Sequence, residues 1–445
     1  MIRNSVLPSL GRVLSALVIL GSVSLATACK DLLSVDRPTL ITEEQVANDP
    51  ALLNAIAQGA IEPFRFEYAW IAHAGAGQSD EALLTHGWSP WNQYDDRAVT
   101  ADGGAYDGIS YPYLQQARVA SAKTVERLAG LLGDKAATNA AYARANAYAG
   151  YSALLVADHL CSIAVDGKVE TPDEVRLTAI ALFQAAVTAG TAAAAQDVVD
   201  LANVGLARAY LGMGNWTKAI EFGKKVPASF SAAVGYVADP DFGKWQTYNL
   251  YNRVAGLRSI TEFSLGYSDE MYGTMRDLRV PFETDSVRKM FDSRPRDRFA
   301  HLPYQPSSFT QWTPGGKNLM SQDAGIRFAS GLEARYIVAE ASLNGGTGGM
   351  TTAEVLALVN ERRQAGAGVA NPYTGATLIV ELREQRKLDF MLAGFRMPDL
   401  LRYERFNGVD LWPKGQMEGF LNHDWVQLYG TSKCWPIGAS ERLTP

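Results

Sequence analysis

Trp88, Trp91 and Tyr94 fall within seven residues of one another, beside Asn92, Asp95, Asp96 and Arg97. Sugars present flat apolar C–H faces and a rim of hydroxyls. Aromatic rings flanked by amide, carboxylate and guanidinium groups suit both features. No helical or strand period runs through the segment to explain the rings as a core stripe. Tyr267, Tyr272 and Trp312 offer a second contribution from a later stretch of similar character. Any one ring is as well explained by packing a long loop onto a scaffold; the group points to binding.

Catalytic constellations are hard to find. His73, His86, His159, His301 and His423 are scattered, and none forms His-Glu-x-x-His or another close ligand pair. No Gly-x-Ser-x-Gly elbow surrounds a nucleophile. Gly345 to Gly349 lack the Lys-Ser/Thr of a phosphate loop. Asp95, Asp96, Asp102 and Asp107 are hard-cation ligand types, yet their spacing departs from a calcium loop and a solvated acidic loop explains them better. The residues therefore imply no cofactor and no metal. A glycoside hydrolase stays open as an alternative, because its deciding quantity is the separation of two carboxylates in space.

The first 29 residues carry an address. Arg3 and Arg12 precede an uncharged apolar stretch from Val13 to Leu25, followed by Ala26-Thr27-Ala28-Cys29. A positive start, a short apolar core and small residues make a secretory signal. Cys29 stands where a bacterial lipoprotein signal places its lipidated thiol, so the segment resembles a lipobox, with Leu25 one position early and Ala26 in its place. The alternative is a secreted protein cut near Ala28 with an incidental Cys29. Lys30, not Asp, follows, so the usual inner-membrane retention signal is absent. The polar stretch from Lys30 to Leu40 reads as a tether, within a lipidated segment over 29–41.

Removing residues 1–28 leaves 417 residues, enough for a large core. The formal charge is −6, becoming −8 without Arg3 and Arg12. An acidic chain without a Lys/Arg run argues against nucleic acid as a partner. Beyond the signal no apolar run suggests a membrane span, which leaves Cys29 as the anchor. Of the remaining cysteines, Cys161 and Cys434, a disulfide and two separate buried thiols are equally good readings.

Helical signals dominate the rest. Thr42-Glu43-Glu44-Gln45 and Thr171-Pro172-Asp173-Glu174 have capping-box form, and Asp49-Pro50 is a further start. Helices are expected over 112–132, 136–160, 201–213, 216–226, 326–343, 352–363 and 380–392, with irregular insertions over 70–111 and 228–325. Leu206, Ala207, Tyr210, Gly214, Trp216 and Ala219 match the spacing of one tetratricopeptide repeat. The expected fold is mostly α: a tetratricopeptide-like helix-pair scaffold over about 112–227 and 326–402, within a single body over 42–445.

Glu381-Leu-Arg-Glu-Gln-Arg-Lys-Leu-Asp-Phe-Met-Leu-Ala-Gly-Phe-Arg-Met-Pro-Asp-Leu-Leu-Arg402 resembles the signature of the SusD/RagB family, which approximates E-R-R-x-E-L-x-F-E-G-x-R-x-x-D-L-x-R. Arg386, Gly394, Arg396, Asp399, Leu400 and Arg402 match; Gln385, Lys387, Asp389 and Ala393 depart, the last replacing a glutamate. In the same order, Glu333 to Ala341, Val359 to Gly366, Asp292 to Arg298, and Trp435-Pro436-Ile437 with Glu441 resemble further family segments. Glu340, Arg386, Arg396, Asp399 and Arg402 read as structural ion-pair residues. The resemblance implies a non-catalytic outer-membrane lipoprotein, lipid-anchored and facing outside. It would capture an extracellular nutrient and pass it to a SusC-like TonB-dependent transporter over which it sits as a lid. Glycan-binding relatives carry an aromatic arc from irregular regions, which favours a glycan or oligosaccharide ligand; some relatives take peptides. The remaining alternative is a helical-repeat surface lipoprotein that binds peptides or proteins. If Cys29 carries the anchor, Cys29→Ser releases the protein into the soluble fraction with an unchanged circular dichroism spectrum. Retention in the membrane would assign the hold to protein contacts.

Overall fold

The computed structural model describes residues 41–79, 92–236, 325–368, 377–415 and 428–442, with short described pieces at 81, 83–84, 261–262, 279, 283–284, 300–301, 370, 372–373 and 375. Contact density divides the chain into two units, the first ending at Pro50 and the second beginning at Ala51; the expected boundary lay between 41 and 42. In the first unit, helix α1 (Glu43–Asn48) starts on Thr42, whose hydroxyl accepts from the Gln45 amide while the Gln45 side chain accepts from the Thr42 amide. This reciprocal pair satisfies donors that a helix start leaves unpaired.

The second unit is mostly helical. Helix α2 (Pro50–Gln78) runs for 29 residues and passes through Pro63. The expected insertion over 70–111 therefore begins later, because Trp70 to Gln78 stay helical. Gly75 and Gly77 are poor helix formers, each costing about 1 kcal/mol against Ala. Tertiary packing outweighs that cost. A side chain on Gly75 would touch His159 and Met397, and Gly394 lies against the backbone of Ala72.

The helix pairs follow. Helices α3 (Tyr111–Leu132), α4 (Ala140–His159) and α5 (Pro172–Ala192) pack in sequence, and α5 continues onto α6 (Gln196–Gly212) and α7 (Trp216–Gly223). Helix α5 begins at the Thr171 capping box with Pro172 in its first turn. It is long and apolar enough by composition to suit a membrane span, but Val175, Ala179, Phe183 and Ala186 along it are buried in the protein core. Gly150 and Gly205 both back onto Phe183, where a Cβ on either would clash with the ring. The expected repeat pair is α6 and α7: Ala207 and Ala219 are fully buried, Tyr210 stacks on Phe222 at 5.6 Å, and Gly214 turns the chain at φ +71°.

One expected helix is divided. Ile326–Ser330 is a strand, β2, antiparallel to β1 (Ser231–Val234), and only then does helix α8 (Gly331–Leu343) begin. Alternating Ile326 and Phe328 face the core, and Ser330 caps α8 through the Glu333 amide. Gly331 lets the backbone approach the carbonyl of Pro227, which a side chain would block. Helices α9 (Thr352–Ala367), α10 (Leu378–Asp389) and α11 (Arg396–Asn407) complete the scaffold. The expected insertion over 228–325 thus contributes β1 to the scaffold, and two-residue strands at Leu83–Leu84, Thr261–Glu262, Ala300–His301 and Glu283–Thr284 form a small sheet.

The aromatic core centres on Phe328, with Phe64 and Tyr151 each 5.0 Å away and Tyr68 at 5.8 Å. The C-terminal segment closes over it. Trp435 pairs with Leu160 in a parallel bridge, its amide donating to the His159 carbonyl and its carbonyl accepting from Cys161, both at 2.8 Å. Cys161 and Cys434 form a disulfide beside this bridge, joining positions 273 residues apart. Closing so long a loop constrains the unfolded chain. The Cys161→Ala/Cys434→Ala double variant should lose about 2–5 kcal/mol in urea unfolding. An unchanged midpoint would mean that the bridge hydrogen bonds alone hold the segment.

Candidate functional site

The aromatic segment of the sequence is only partly visible, and what is visible anchors it. Trp88 and Trp91 lie outside the described residues, as do Tyr267, Tyr272, Trp312 and Cys29. Asn92 opens a single helical turn, Asn92–Asp95. Tyr94 in this turn is fully buried; its hydroxyl donates to Ser110 at 2.7 Å and its ring meets Trp435 edge-on at 5.5 Å. Burial pushes its phenol well above the ordinary range. A ring closed off in this way has no face for a ligand, so Tyr94 leaves the candidate set. Arg97 leaves it too. It is 3% exposed, its Nε donates to the Ser432 carbonyl at 3.2 Å, another guanidinium nitrogen to the Pro413 carbonyl, and it lies over Trp412 at 5.1 Å. Arg97 has φ +49°, a left-handed conformation uncommon outside glycine. Its clamp on the C-terminal segment fixes that turn. Asp96 is half-buried, and its carbonyl accepts from the Gly430 amide at 2.6 Å. Gly430 has no alternative: a Cβ there would stand 2.5 Å from the Arg97 carbonyl oxygen.

The turn at 92–97 is thus the fixed base of the segment carrying Trp88 and Trp91. Trp435 is the bolt beneath it, buried against Tyr94, Tyr106 and His159 and hydrogen-bonded through its indole to Gln78.

The motif residues form a buried ion chain. The Arg402 fork donates to both carboxylate oxygens of Glu340, at 2.7 and 2.8 Å. It also lies 2.9 Å from Asp399, whose other oxygen accepts from Arg386 Nε at 2.7 Å. All four side chains are nearly sealed from water. Burial by itself would raise the Asp399 carboxyl, but the guanidiniums of Arg386 and Arg402 outweigh it and hold the group below the ordinary carboxylate value. The chain links α8, α10 and α11. Arg396 is buried at the start of α11.

Two further pairs had no signature in the sequence. Arg208 forks onto Glu333 at 2.7 and 2.8 Å and also reaches the Phe328 carbonyl, tying α6 to α8 and β2. Asp389, where the family motif is not matched, gathers Arg362 at 2.7 and 2.8 Å and the Tyr336 hydroxyl at 2.6 Å. Glu333, Arg362 and Asp389 lie in family-like segments, but their pairing was not readable, because partners 125 and 27 positions apart leave no local pattern. Ala393 offers no acid, and its carbonyl accepts instead from the Tyr68 hydroxyl at 2.7 Å.

Among the described residues no group of three or more His, Cys, Asp or Glu side chains is placed to hold a metal ion. The buried carboxylates of Glu333, Glu340, Asp389 and Asp399 are each engaged by arginines.

No family sequence model and no curated protein sequence matches the chain. Solved structures do. A SusD superfamily protein from Bacteroides vulgatus ATCC 8482 matches with a TM-score of 0.64 at 14% identity, over 87% of this chain and 96% of that one. A SusD-like carbohydrate binding protein from Bacteroides fragilis NCTC 9343 matches with a TM-score of 0.64 at 12% identity, over 89% and 98%. Surface glycan-binding protein A from Bacteroides fluxus matches with a TM-score of 0.61 at 15% identity, over 88% and 96%. The chain has the SusD-like, mostly helical fold.

Breaking the ion chain tests its role. Glu340→Gln leaves the Arg402 charge buried without its bidentate partner and should cost about 3–5 kcal/mol in urea unfolding. Replacing both partners, as Glu340→Leu with Arg402→Met, should recover much of that loss. Equal losses in the single and double variants would assign the effect to packing rather than charge.

Proposed function

We propose that this chain is a non-catalytic, SusD/RagB-type glycan-capturing lipoprotein of the outer membrane that delivers its ligand to a SusC-like TonB-dependent transporter. The observation that carries this reading is the likeness of fold over nearly the whole length of solved proteins, two of which are described as carbohydrate- or glycan-binding. The lipobox-like Cys29 supports a lipid anchor, and the ordered motifs of the C-terminal third agree with the fold.

The division of labour fits capture rather than catalysis. The scaffold is rigidified by buried forked ion pairs, and the aromatic segment is pinned at its base by Tyr94, Arg97 and Trp435. Trp88 and Trp91 are the rings proposed to meet the ligand, with Asn92 and Asp96 beside them and Tyr267, Tyr272 and Trp312 as further candidates. Transfer to the transporter then requires only that the anchored body swing away from the barrel mouth.

Glycan-array screening followed by calorimetry identifies the ligand. Trp88→Ala with Trp91→Ala should weaken its binding by at least about tenfold for each lost stacking ring. Unchanged affinity would remove these rings from the site. Release of shortened sugars by the purified protein would replace capture with hydrolysis. Membrane pull-down should recover a large β-barrel transporter.

A further inference from the structure

We propose that a cavity of about 320 Å³ lined by residues of α4, α5 and α11 is a binding site for a small hydroxy-carboxylate, such as a uronic acid. The site is separate from the aromatic segment and does not rest on the capture reading. Its volume falls at the lower end of that of small-molecule pockets. Leu154, Leu155, Phe395 and Pro398 supply apolar wall, and the disulfide Cys161–Cys434 closes one side.

The polar groups on its wall are unusually incomplete. Arg176 and Arg386 both line it, and both are more than nine-tenths buried. Arg176 uses Nη1 and Nη2 on Asp173, Asp158 and the Ala157 carbonyl, but its buried Nε has no partner. Arg386 uses Nε on Asp399, and its buried Nη1 has no partner. Buried guanidinium N–H groups without acceptors are costly. An anion removes that cost at both.

Phe395 and Pro398, at the start of the 12-residue α11, border the cavity. Phe395 gives the first turn no side-chain cap, and Asp399 is the acidic residue of that turn. Asp158, Asp399 and Glu404 also border the cavity. Each already faces a cation: Arg176, Arg386 with Arg402, and Lys433 respectively. The unpaired cationic donors on the wall, Arg176 Nε and Arg386 Nη1, call for an acceptor, and a carboxylate makes the strongest hydrogen bonds to a guanidinium.

One acceptor accompanies these donors. His159 is buried, and its Nδ1 lies 2.9 Å from the Leu155 carbonyl, which can only accept. The ring proton therefore sits on Nδ1, leaving Nε2 as a lone-pair acceptor without a partner. Burial lowers the imidazole's affinity for a second proton, so Nε2 remains an acceptor near neutral pH. An acceptor beside cationic donors calls for a hydroxyl on the same molecule as the carboxylate. Water can satisfy such groups singly, but a carboxylate makes the stronger, charge-assisted hydrogen bonds to the two guanidiniums.

The test is calorimetric titration of the full chain with D-galacturonate, D-glucose and inorganic phosphate, alongside histidine-selective NMR. Saturable galacturonate binding at least about tenfold tighter than glucose, with a shifted His159 resonance, is the expected result. Gly75→Ser supplies a gentle variant. A Cβ at position 75 would stand 3.8 Å from His159 Nε2, an ordinary contact, so the serine hydroxyl can donate to that nitrogen and occupy it. Galacturonate should then bind about tenfold more weakly while the melting temperature holds. His159→Phe should act in the same direction. No binding, equal binding of galacturonate and glucose, binding of phosphate alone, or full galacturonate affinity in Gly75→Ser would each overturn the assignment.

Discussion

Arg402 lies inside the protein with carboxylates on two sides, and most of the scaffold's geometry follows from keeping it satisfied. A buried guanidinium that lost Glu340 would face desolvation without compensation, and Asp399 depends on Arg402 and Arg386 in turn. The acids and bases alternate, so removing one member strands its neighbour. Because a forked guanidinium accepts a carboxylate in few orientations, the chain sets the register of α8, α10 and α11 against one another. Hydrophobic side chains of similar size would stabilise these contacts as well or better, but they would tolerate sliding. The same device recurs at Arg208–Glu333 and at Arg362–Asp389, which bring α6, α8, α9 and α10 into the same fixed frame.

The C-terminal segment converts this frame into a mount. Trp435 is sealed between rings from α4 and from the 92–110 stretch, and its backbone continues the end of α4 through two hydrogen bonds. Arg97 and Gly430 bring the base of the aromatic segment against the same strand-like stretch. The disulfide sits at the junction. Constraint at this point matters more than constraint elsewhere, because this is where the end of the chain meets the turn that follows Trp91.

Local chemistry was readable in the sequence; distant pairing was not. The capping boxes at Thr42 and Thr171 announce their helices because every participating group lies within four residues. The repeat pair at Ala207 and Ala219 was legible for the same reason. Ile326 to Ser330 reads equally well as the start of a helix, and becomes a strand only because Ser231–Val234, nearly a hundred residues earlier, supplies its partner. Trp70 to Gln78 reads as irregular because it opens a stretch where glycine, aspartate and aromatic residues dominate without a sustained period, whereas its glycines and alanines let α2 approach His159, Met397 and Gly394. Tyr94 and Arg97 share a segment with Trp88 and Trp91, so spacing grouped all of them as a platform. Burial separates the anchors, and burial is a property of the fold. The cavity beside α4 had no sequence signature at all, since Arg176, Arg386 and His159 converge from three elements.

The departure of Ala393 from the family-like motif shows how such a frame absorbs change. No acid stands at this position, and Tyr68 fixes the chain through the Ala393 carbonyl. A main-chain acceptor is present whatever side chain occupies the site, so the turn keeps its place without a charge. Gly394 follows at φ +80° and packs against the backbone of Ala72, which leaves little room for an alternative path. The motif can therefore lose a charged member where backbone geometry already determines the turn, yet Glu340, Asp399 and Arg402, whose positions depend on one another's charge, have no such substitute.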